Sequence, residues 1–204
     1  MSLVKYIKKR NFAKTPEPKE KKGSSQSKLS FVVQRHKASR LHYDFRLQLN
    51  GVLKSWAVPK GPSLNPHDKR LAMMVEDHPY LYKNFHGIIP EGNYGAGIVE
   101  IWDEGYYSDL ENSRKKIAEK KIKTALKSGN LKFRLYGKKL KGEFALVKMK
   151  GKQENAWLLI KHNDEYVVKE NYDSEWHTEK NSPINKWLEK NKAIVKKKSK
   201  SMVL

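Results

Sequence analysis

The sequence predicts a mainly β fold, a compact closed or strongly curved β-barrel with one or two short helices and an extended N-terminal arm. Short stretches that alternate apolar and polar residues recur between turn signals, as in antiparallel strands. One such stretch, residues 41–49, is followed by Asn50-Gly51, a strong signal for a two-residue hairpin turn. Only residues 114–127 have a long helical pattern, so helices are a minor part of the prediction.

The composition indicates a folded and strongly basic protein. Of the 204 residues, 38% are hydrophobic, and 10 Tyr, 6 Phe and 5 Trp are too many for a disordered chain. The net charge of +21 favours a polyanionic partner, with nucleic acid as the first candidate. Cysteine is absent, which excludes disulfides, thiolate metal ligands and a cysteine nucleophile. We find no signal-peptide pattern and no apolar run long enough to cross a membrane. We therefore expect a cytoplasmic monomer without a membrane partner.

We divide the chain into three parts. Residues 1–30 are predicted to be a flexible basic arm, because Pro16 and Pro18 oppose a helix and a Gly/Ser-rich stretch follows them. Such an arm is either mobile, or lies along DNA, or folds over a site. Residues 31–165 are the predicted barrel domain, and residues 166–204 are a C-terminal extension with a basic tail.

Turn signals divide the barrel domain into its predicted elements. The helix at 114–127 is expected to be capped by Asn112 or Ser113, and a shorter helix is expected at residues 182–188. The glycine-rich residues 85–97 are predicted to be a loop, and they lack the strand–loop–helix arrangement of a nucleotide-binding P-loop. The predicted strands cover residues 29–34, 41–49, 52–58, 71–78, 98–107, 130–136, 142–150 and 156–162.

The strand at residues 41–49 has an unusual polar face. Its apolar face consists of Tyr43, Phe45, Leu47 and Leu49, and its polar face consists of His42, Asp44, Arg46 and Gln48. Along this face an imidazole, a carboxylate and a guanidinium follow one another at intervals of about 7 Å. With His36 brought in by a turn near residues 38–39, they would form a divalent-metal site facing an anionic substrate. The alternative is an ordinary solvated strand face.

Two further residues have more than one interpretation. Lys60, at the exit of a strand, is either a phosphate contact or a solvated lysine. His78 is either a strand-end imidazole or part of the metal-bearing site, if its strand lies beside residues 41–49.

Several sequence blocks resemble a known family. They are FVVQRH at 31–36, RLHYDFRL at 40–47, SWAVPKGP at 55–62, VEDHP at 75–79 and IPEGNYGAG at 89–97, with weaker matches at 131–135, 140–149 and 157–162. Over about residues 6–165 the chain resembles the 3′-phosphoesterase module of bacterial ligase D, a DNA-repair ligase of nonhomologous end joining, and its stand-alone bacterial and archaeal relatives. The HYDFR block is the most specific part of this resemblance.

The resemblance implies a Mn²⁺-dependent enzyme on a compact β-barrel that removes a 3′-phosphate from DNA. In the family the enzyme also removes a terminal ribonucleotide, and both reactions leave a 3′-OH. Zn²⁺ or Co²⁺ remain alternatives to Mn²⁺, because mixed nitrogen and oxygen ligands suit several divalent metals. The implied partners are 3′ ends of DNA or DNA/RNA primer–templates, and a separate DNA ligase and polymerase of an end-joining system.

By position, the resemblance also implies roles for individual residues. The implied metal ligands are His36, His42 and Asp44. The implied catalytic and phosphate-binding residues are Arg46, His78 and Tyr82. The implied secondary positions are Gln34, Lys60, Arg70, Glu76, Arg10 and Glu17. Asn11 stands where the family usually has Asp, and its amide keeps hydrogen bonding but loses the charge. His78 would either protonate the leaving 3′ oxygen or offset charge on the phosphate.

Two other functions fit parts of the pattern. His42 and Asp44 with a distant His resemble the facial triad of non-haem iron(II) oxygenases, although Arg46 and the positive charge favour phosphate chemistry. A non-catalytic DNA-end-binding module with a structural metal is the second alternative.

Overall fold

The sheet of the protein is antiparallel throughout. The computed structural model describes residues 3–19, 23, 27–151 and 153–191. In chain order its strands are β1 Leu29–Lys37, β2 Leu41–Leu49, β3 Val52–Val58, β4 Arg70–Met74, β5 His78–Pro79, β6 Gly87–Ile89, β7 Gly97–Ser108, β8 Asn130–Gly137, β9 Lys141–Lys148 and β10 Ala156–Lys161. Eight of them close into a barrel in the order β1-β2-β3-β4-β10-β9-β8-β7, and β7 pairs back onto β1. The predicted β-barrel is therefore confirmed.

Three short α-helices accompany the barrel in the described part of the chain. They are α1 Leu3–Lys8, α2 Lys115–Ser128 and α3 at residues 183–191. Two 3₁₀ helices cover Tyr80–Asn84 and Ser174–His177. Helix α2 buries Ala118 and Ile122 in the barrel core. It lies at the barrel end that carries the β2–β3 turn, because the Asn50 amide donates to Glu119 at 3.2 Å.

The barrel interior is filled by the apolar face of β2 and its counterparts. Tyr43, Phe45, Leu47 and Leu49 all belong to the main core, as the alternation predicted. Aromatic side chains from other strands pack against them, including Trp56 and Phe133 next to Phe45. Because successive side chains of a strand point to opposite faces, His42, Asp44 and Arg46 lie on the outer wall.

The polar face of β2 is not a solvated face. Asp44, Arg46 and Gln48 are all buried, because a second hydrophobic cluster and the N-terminal segment, residues 3–19, cover this wall. The prediction of an extended arm is wrong for its first residues, since Leu3–Lys8 is helical and Tyr6 is 0% exposed. Packing against the barrel stabilises a helix that local sequence does not favour. The division into arm, barrel domain and extension remains a prediction, and the basic tail falls outside the described residues.

Some element bounds differ from the prediction. The strand predicted at 71–78 ends at Met74, and residues 75–77 leave the sheet before the short β5. His36 lies inside β1 rather than in the following turn, which covers residues 38–40. The N-cap of α2 is Arg114 without a side-chain cap, whereas Asn112 or Ser113 was expected. No helix among the described residues has the length and apolar character needed to span a bilayer.

A buried ion cluster ties the C-terminal segment to the barrel. Arg35 on β1 is 0% exposed and donates to Glu100 at 2.9 Å and to Glu175 at 2.8 and 2.6 Å. The second carboxylate oxygen of Glu100 accepts the Ile184 amide, in the first turn of α3, at 3.0 Å. Glu100 therefore joins β1, β7 and α3 in one contact.

We expect Glu100→Ala to lower the free energy of unfolding by about 3 kcal/mol, because it leaves the buried Arg35 charge partly uncompensated. The matched control is Glu104→Ala on the same strand, whose partner Lys138 is exposed, with an expected loss below about 1 kcal/mol. Urea denaturation measures both. Equal losses for the two variants would contradict the structural role of the cluster.

Candidate metal and phosphate site

A cavity of about 300 Å³ opens on the outer wall of the barrel beside β2. Its polar lining comprises Arg10, His36, His42, Asp44, Arg46, Glu76, His78, Tyr82 and Tyr94. These residues come from β1, β2, the segment after β4, β5, the following 3₁₀ helix, the loop at 90–96 and the N-terminal segment. The cavity thus gathers most of the site residues predicted from the sequence.

The pairing of β1 with β2 brings the predicted metal ligands together. His36 lies opposite His42 and Gln34 lies opposite Asp44 in this antiparallel pair. One ligand atom from each of His36, His42 and Asp44 lies within 4.8 Å of the other two. The turn at residues 38–40 makes this possible, as the sequence predicted.

Backbone carbonyls orient both imidazoles. His36 Nε2 lies 3.0 Å from the Gly95 carbonyl oxygen, and His42 Nδ1 lies 3.0 Å from the Arg40 carbonyl oxygen. Because a carbonyl only accepts, these two nitrogens are donors. The second ring nitrogens, His36 Nδ1 and His42 Nε2, face Asp44, at 3.6 and 3.8 Å from its two oxygens. Two such imidazole nitrogens and a carboxylate would fit a divalent metal that displaces any proton on them, and the carbonyls would support the rings from outside.

Arg46 is fixed on the same wall by three acceptors. It donates to Asp44 Oδ2 at 3.0 Å, to Gln34 Oε1 at 2.6 Å and to Ser55 Oγ at 3.0 Å. Burial by itself would raise the pKa of Asp44. The charge of Arg46 and the neighbouring imidazoles outweigh it, so the pKa of Asp44 lies well below its usual range. Asp44 is therefore a carboxylate at neutral pH, as a metal ligand must be.

His78 lines the same cavity and is neutral. Burial and the charges of Arg46 and Arg10 hold its pKa well below the usual value for histidine. Its Nδ1 donates to the Glu76 carbonyl at 2.9 Å, so Nε2 accepts from Arg10 Nη2 at 3.3 Å. Tyr82 packs edge-on against His78 and donates to Glu17 at 2.9 Å. Burial raises the pKa of Tyr82, which keeps its hydroxyl protonated.

The N-terminal segment supplies charged groups to the cavity. Arg10 donates to Glu17 Oε1 at 2.8 Å and to Glu76 Oε1 at 3.3 Å. Lys9 pairs with Glu76 Oε2 at 2.9 Å, and its hydrogen bond and the nearby cations lower the pKa of Glu76 despite its burial. Of the predicted secondary positions, Arg10 and Glu76 thus line the cavity, and Glu17 lies next to them through its contact with Arg10. Asn11 is exposed, and its side chain accepts from the Ala13 amide at 3.1 Å.

Two predicted positions lie elsewhere. Lys60 and Arg70 line a second cavity of about 410 Å³, which also contains Tyr172 and Glu175 of the C-terminal segment. Arg70 donates to Asp68 at 2.8 Å and to the Tyr172 carbonyl at 2.6 Å. The structure therefore does not bring Lys60 and Arg70 into the cavity of the metal-ligand candidates.

Sequence reasoning missed several residues that support the site. Ser55 could have been found, because a two-residue turn at 50–51 pairs it with Arg46. Lys9 had no local signal, since its partner Glu76 is 67 residues away. Gly95, which orients His36, lies in a loop that the sequence indicated by its glycine content and its resemblance to the family, without a role for this residue. Its φ of 76° is a backbone conformation that favours glycine.

Comparison with known proteins identifies related sequences. The family model of the DNA ligase D 3′-phosphoesterase domain matches residues 34–148. The chain is 49% identical over 166 residues to the multifunctional non-homologous end joining protein LigD of Pseudomonas aeruginosa, covering 79% of this chain and 19% of that protein. The same-named protein of Mycolicibacterium smegmatis is 41% identical over 80% of this chain and 21% of its own length. The LigD of Mycobacterium tuberculosis strain H37Rv, a multifunctional non-homologous end joining DNA repair protein, is 40% identical over 81% of this chain and 21% of its own.

The chain spans about a fifth of the length of these relatives. The family match covers more than half of the chain and includes the metal-ligand candidates together with Arg46, His78 and Tyr82. On this match and on the closed barrel that carries it, the chain belongs to the DNA ligase D 3′-phosphoesterase domain family.

Proposed function

We propose that this chain is a metal-dependent phosphoesterase that removes the phosphate from a 3′ end of DNA and leaves a 3′-OH. One observation carries the proposal. Two imidazoles, each oriented by a backbone carbonyl, direct their second ring nitrogens toward Asp44, with the Arg46 guanidinium on the same wall. Family membership supports the reaction, since the family is described by its 3′-phosphoesterase domain.

Mn²⁺ is the proposed cofactor, with Zn²⁺ and Co²⁺ as alternatives, and His36, His42 and Asp44 would hold it. When bound, such a cation supplies Lewis-acid polarisation of a phosphoryl oxygen. The cavity volume of about 300 Å³ suits a terminal phosphate with part of its nucleotide.

The surrounding residues would orient the phosphate and manage its protons. Arg46 presents a guanidinium already fixed by Gln34 and Ser55, so little reorganisation accompanies phosphate binding. His78 is neutral with Nε2 as an acceptor, and an approaching phosphate would raise its pKa. The proton it then gains at Nε2 is the one that a leaving 3′ oxygen requires. Tyr82 keeps its hydroxyl hydrogen, which it would redirect from Glu17 to the phosphate.

Removal of a terminal ribonucleotide would use the N-terminal segment. Arg10 reaches the cavity and holds Glu17, whereas Asn11 turns its side chain back to Ala13. The substrates we propose are 3′ ends of DNA or DNA/RNA primer–templates in the cytoplasm. The relatives are named as end-joining proteins, so a DNA ligase and a polymerase of an end-joining system are the proposed partners.

We expect His42→Ala to abolish phosphate release from a 3′-phosphoryl primer–template and to weaken Mn²⁺ binding, because one of three ligands is lost. DNA affinity should change little. His67→Ala, which removes an exposed histidine outside the cavity, is the matched control and should behave as wild type. Phosphate release on gels and isothermal titration with Mn²⁺ report the two effects. Full phosphate release by His42→Ala would contradict the site assignment. If the wild-type protein binds DNA but releases no phosphate with any divalent metal, a non-catalytic end-binding module is favoured.

Arg46→Lys tests the role of the fixed guanidinium. A lysine keeps the charge but cannot make the three oriented contacts, so we expect kcat/KM to fall by about a hundredfold or more. Mn²⁺ affinity should change far less, because all three ligands remain. Arg114→Lys, at an exposed position, is the matched control. A variant with wild-type kcat/KM would exclude Arg46 as the residue that orients phosphate.

A further inference from the structure

Helix α2 presents a row of lysines to solvent. The row consists of Lys116, Lys120, Lys123 and Lys127, and all four are exposed. At 3.6 residues per turn they fall within an arc of about 60°. Ala118 and Ile122, which fix the helix to the barrel core, lie on the opposite face. The row therefore points away from the barrel.

No carboxylate compensates this row within the part of the chain that the structure describes. The nearby carboxylates pair instead with Lys121, on a neighbouring face of the helix: Asp109 lies 3.3 Å and Glu111 2.5 Å from its Nζ. Glu119 is the sole acidic residue of α2, and it faces the barrel end, where it accepts the Asn50 amide. Lysines three and four residues apart repel one another on a helix. A row of lysines without carboxylate partners is typical of a surface that binds a polyanion.

The outer wall of the barrel leads from the cavity of the metal-ligand candidates to the N-terminal end of α2, where the row begins. β1 runs from His36 at the cavity to Leu29, and the next residue, Lys28, shares a small cavity with Lys115 of α2. Lys83 lines a further cavity of about 280 Å³ midway along the same strand. From His36 to Lys28 the distance is about 26 Å at 3.3 Å per residue. This corresponds to about eight base pairs of duplex DNA.

We propose that the lysine row of α2 binds the phosphate backbone of duplex DNA, about eight base pairs from the 3′ end that occupies the cavity. The row is about 16 Å long at 1.5 Å per residue. Because one strand carries a phosphate every 3.4 Å of axis, this length covers about five phosphates. The position of the 3′ end rests on the proposed function, whereas the affinity of the row for a duplex does not.

The test replaces all four lysines by glutamine, which keeps helix propensity, in Lys116→Gln, Lys120→Gln, Lys123→Gln and Lys127→Gln together. The matched control removes the same charge from exposed lysines of the C-terminal segment, in Lys169→Gln, Lys180→Gln, Lys186→Gln and Lys190→Gln together. The probes are DNA hairpins that end in a 3′-OH, with stems of about 6 and about 18 base pairs, on either side of the expected spacing. Their dissociation constants are measured across salt concentrations, after circular dichroism has shown that both variants are folded.

We expect the α2 variant to lower the salt slope for the long stem by about 2 to 4, at about 0.9 for each phosphate contact. Its affinity for the short stem should change no more than that of the control. Equal slopes for both variants, or equal weakening of short and long stems, would overturn the proposal. Phosphate release from a short 3′-phosphoryl hairpin tests the proposed function separately, and the α2 variant should retain it.

Discussion

The register between β1 and β2 is the constraint on which the site depends. It places His36 opposite His42 and Gln34 opposite Asp44, and a slip of one residue would turn these side chains into the barrel core. The apolar alternation of β2 opposes such a slip. The turns at 38–40 and 50–51 oppose it as well, the second with positive φ at both residues, 51° and 81°. The geometry of the metal-ligand candidates is therefore a consequence of strand pairing rather than of flexible loops.

The polar face of β2 is stable in a buried position because each charge on it has a partner. Arg46 pairs with Asp44, and the N-terminal segment that covers the wall brings Arg10 together with Glu17. A buried charge without such a partner would destabilise the fold by several kcal/mol. The same contacts fix the orientation of each group before a substrate arrives. A preorganised site of this kind loses little free energy in rearrangement when an anion binds.

Short-range patterns predicted the barrel and much of the site, and long-range packing decided the remainder. The alternation at 41–49 and the turn at Asn50-Gly51 were sufficient to place Asp44 and Arg46 on one wall. Helix α1 was missed because its stability comes from burying Tyr6 against the barrel, which no local signal records. Arg35 and Glu175 are 140 residues apart, so their ion pair cannot be predicted from spacing. Arg70 was grouped with the site by resemblance alone, and Lys60 by resemblance and by its position at a strand exit. The structure places both at a different cavity.

The charges of the site and those of the surface are distributed differently. Although the chain carries +21 overall, the charges of the site are balanced. The cations there are Lys9, Arg10 and Arg46, and the carboxylates are Glu17, Glu76 and Asp44. A site balanced in this way exerts little net pull on a phosphate, so a divalent cation between the imidazoles would supply the missing positive charge. Exposed lysines such as those of the α2 row lie on the surface instead, and their field, which acts over about 8–10 Å at physiological salt, would raise the local concentration of DNA in the proposed function. In the proposed reaction, the surface would hold the duplex and the metal would make the cavity selective for a terminal phosphate.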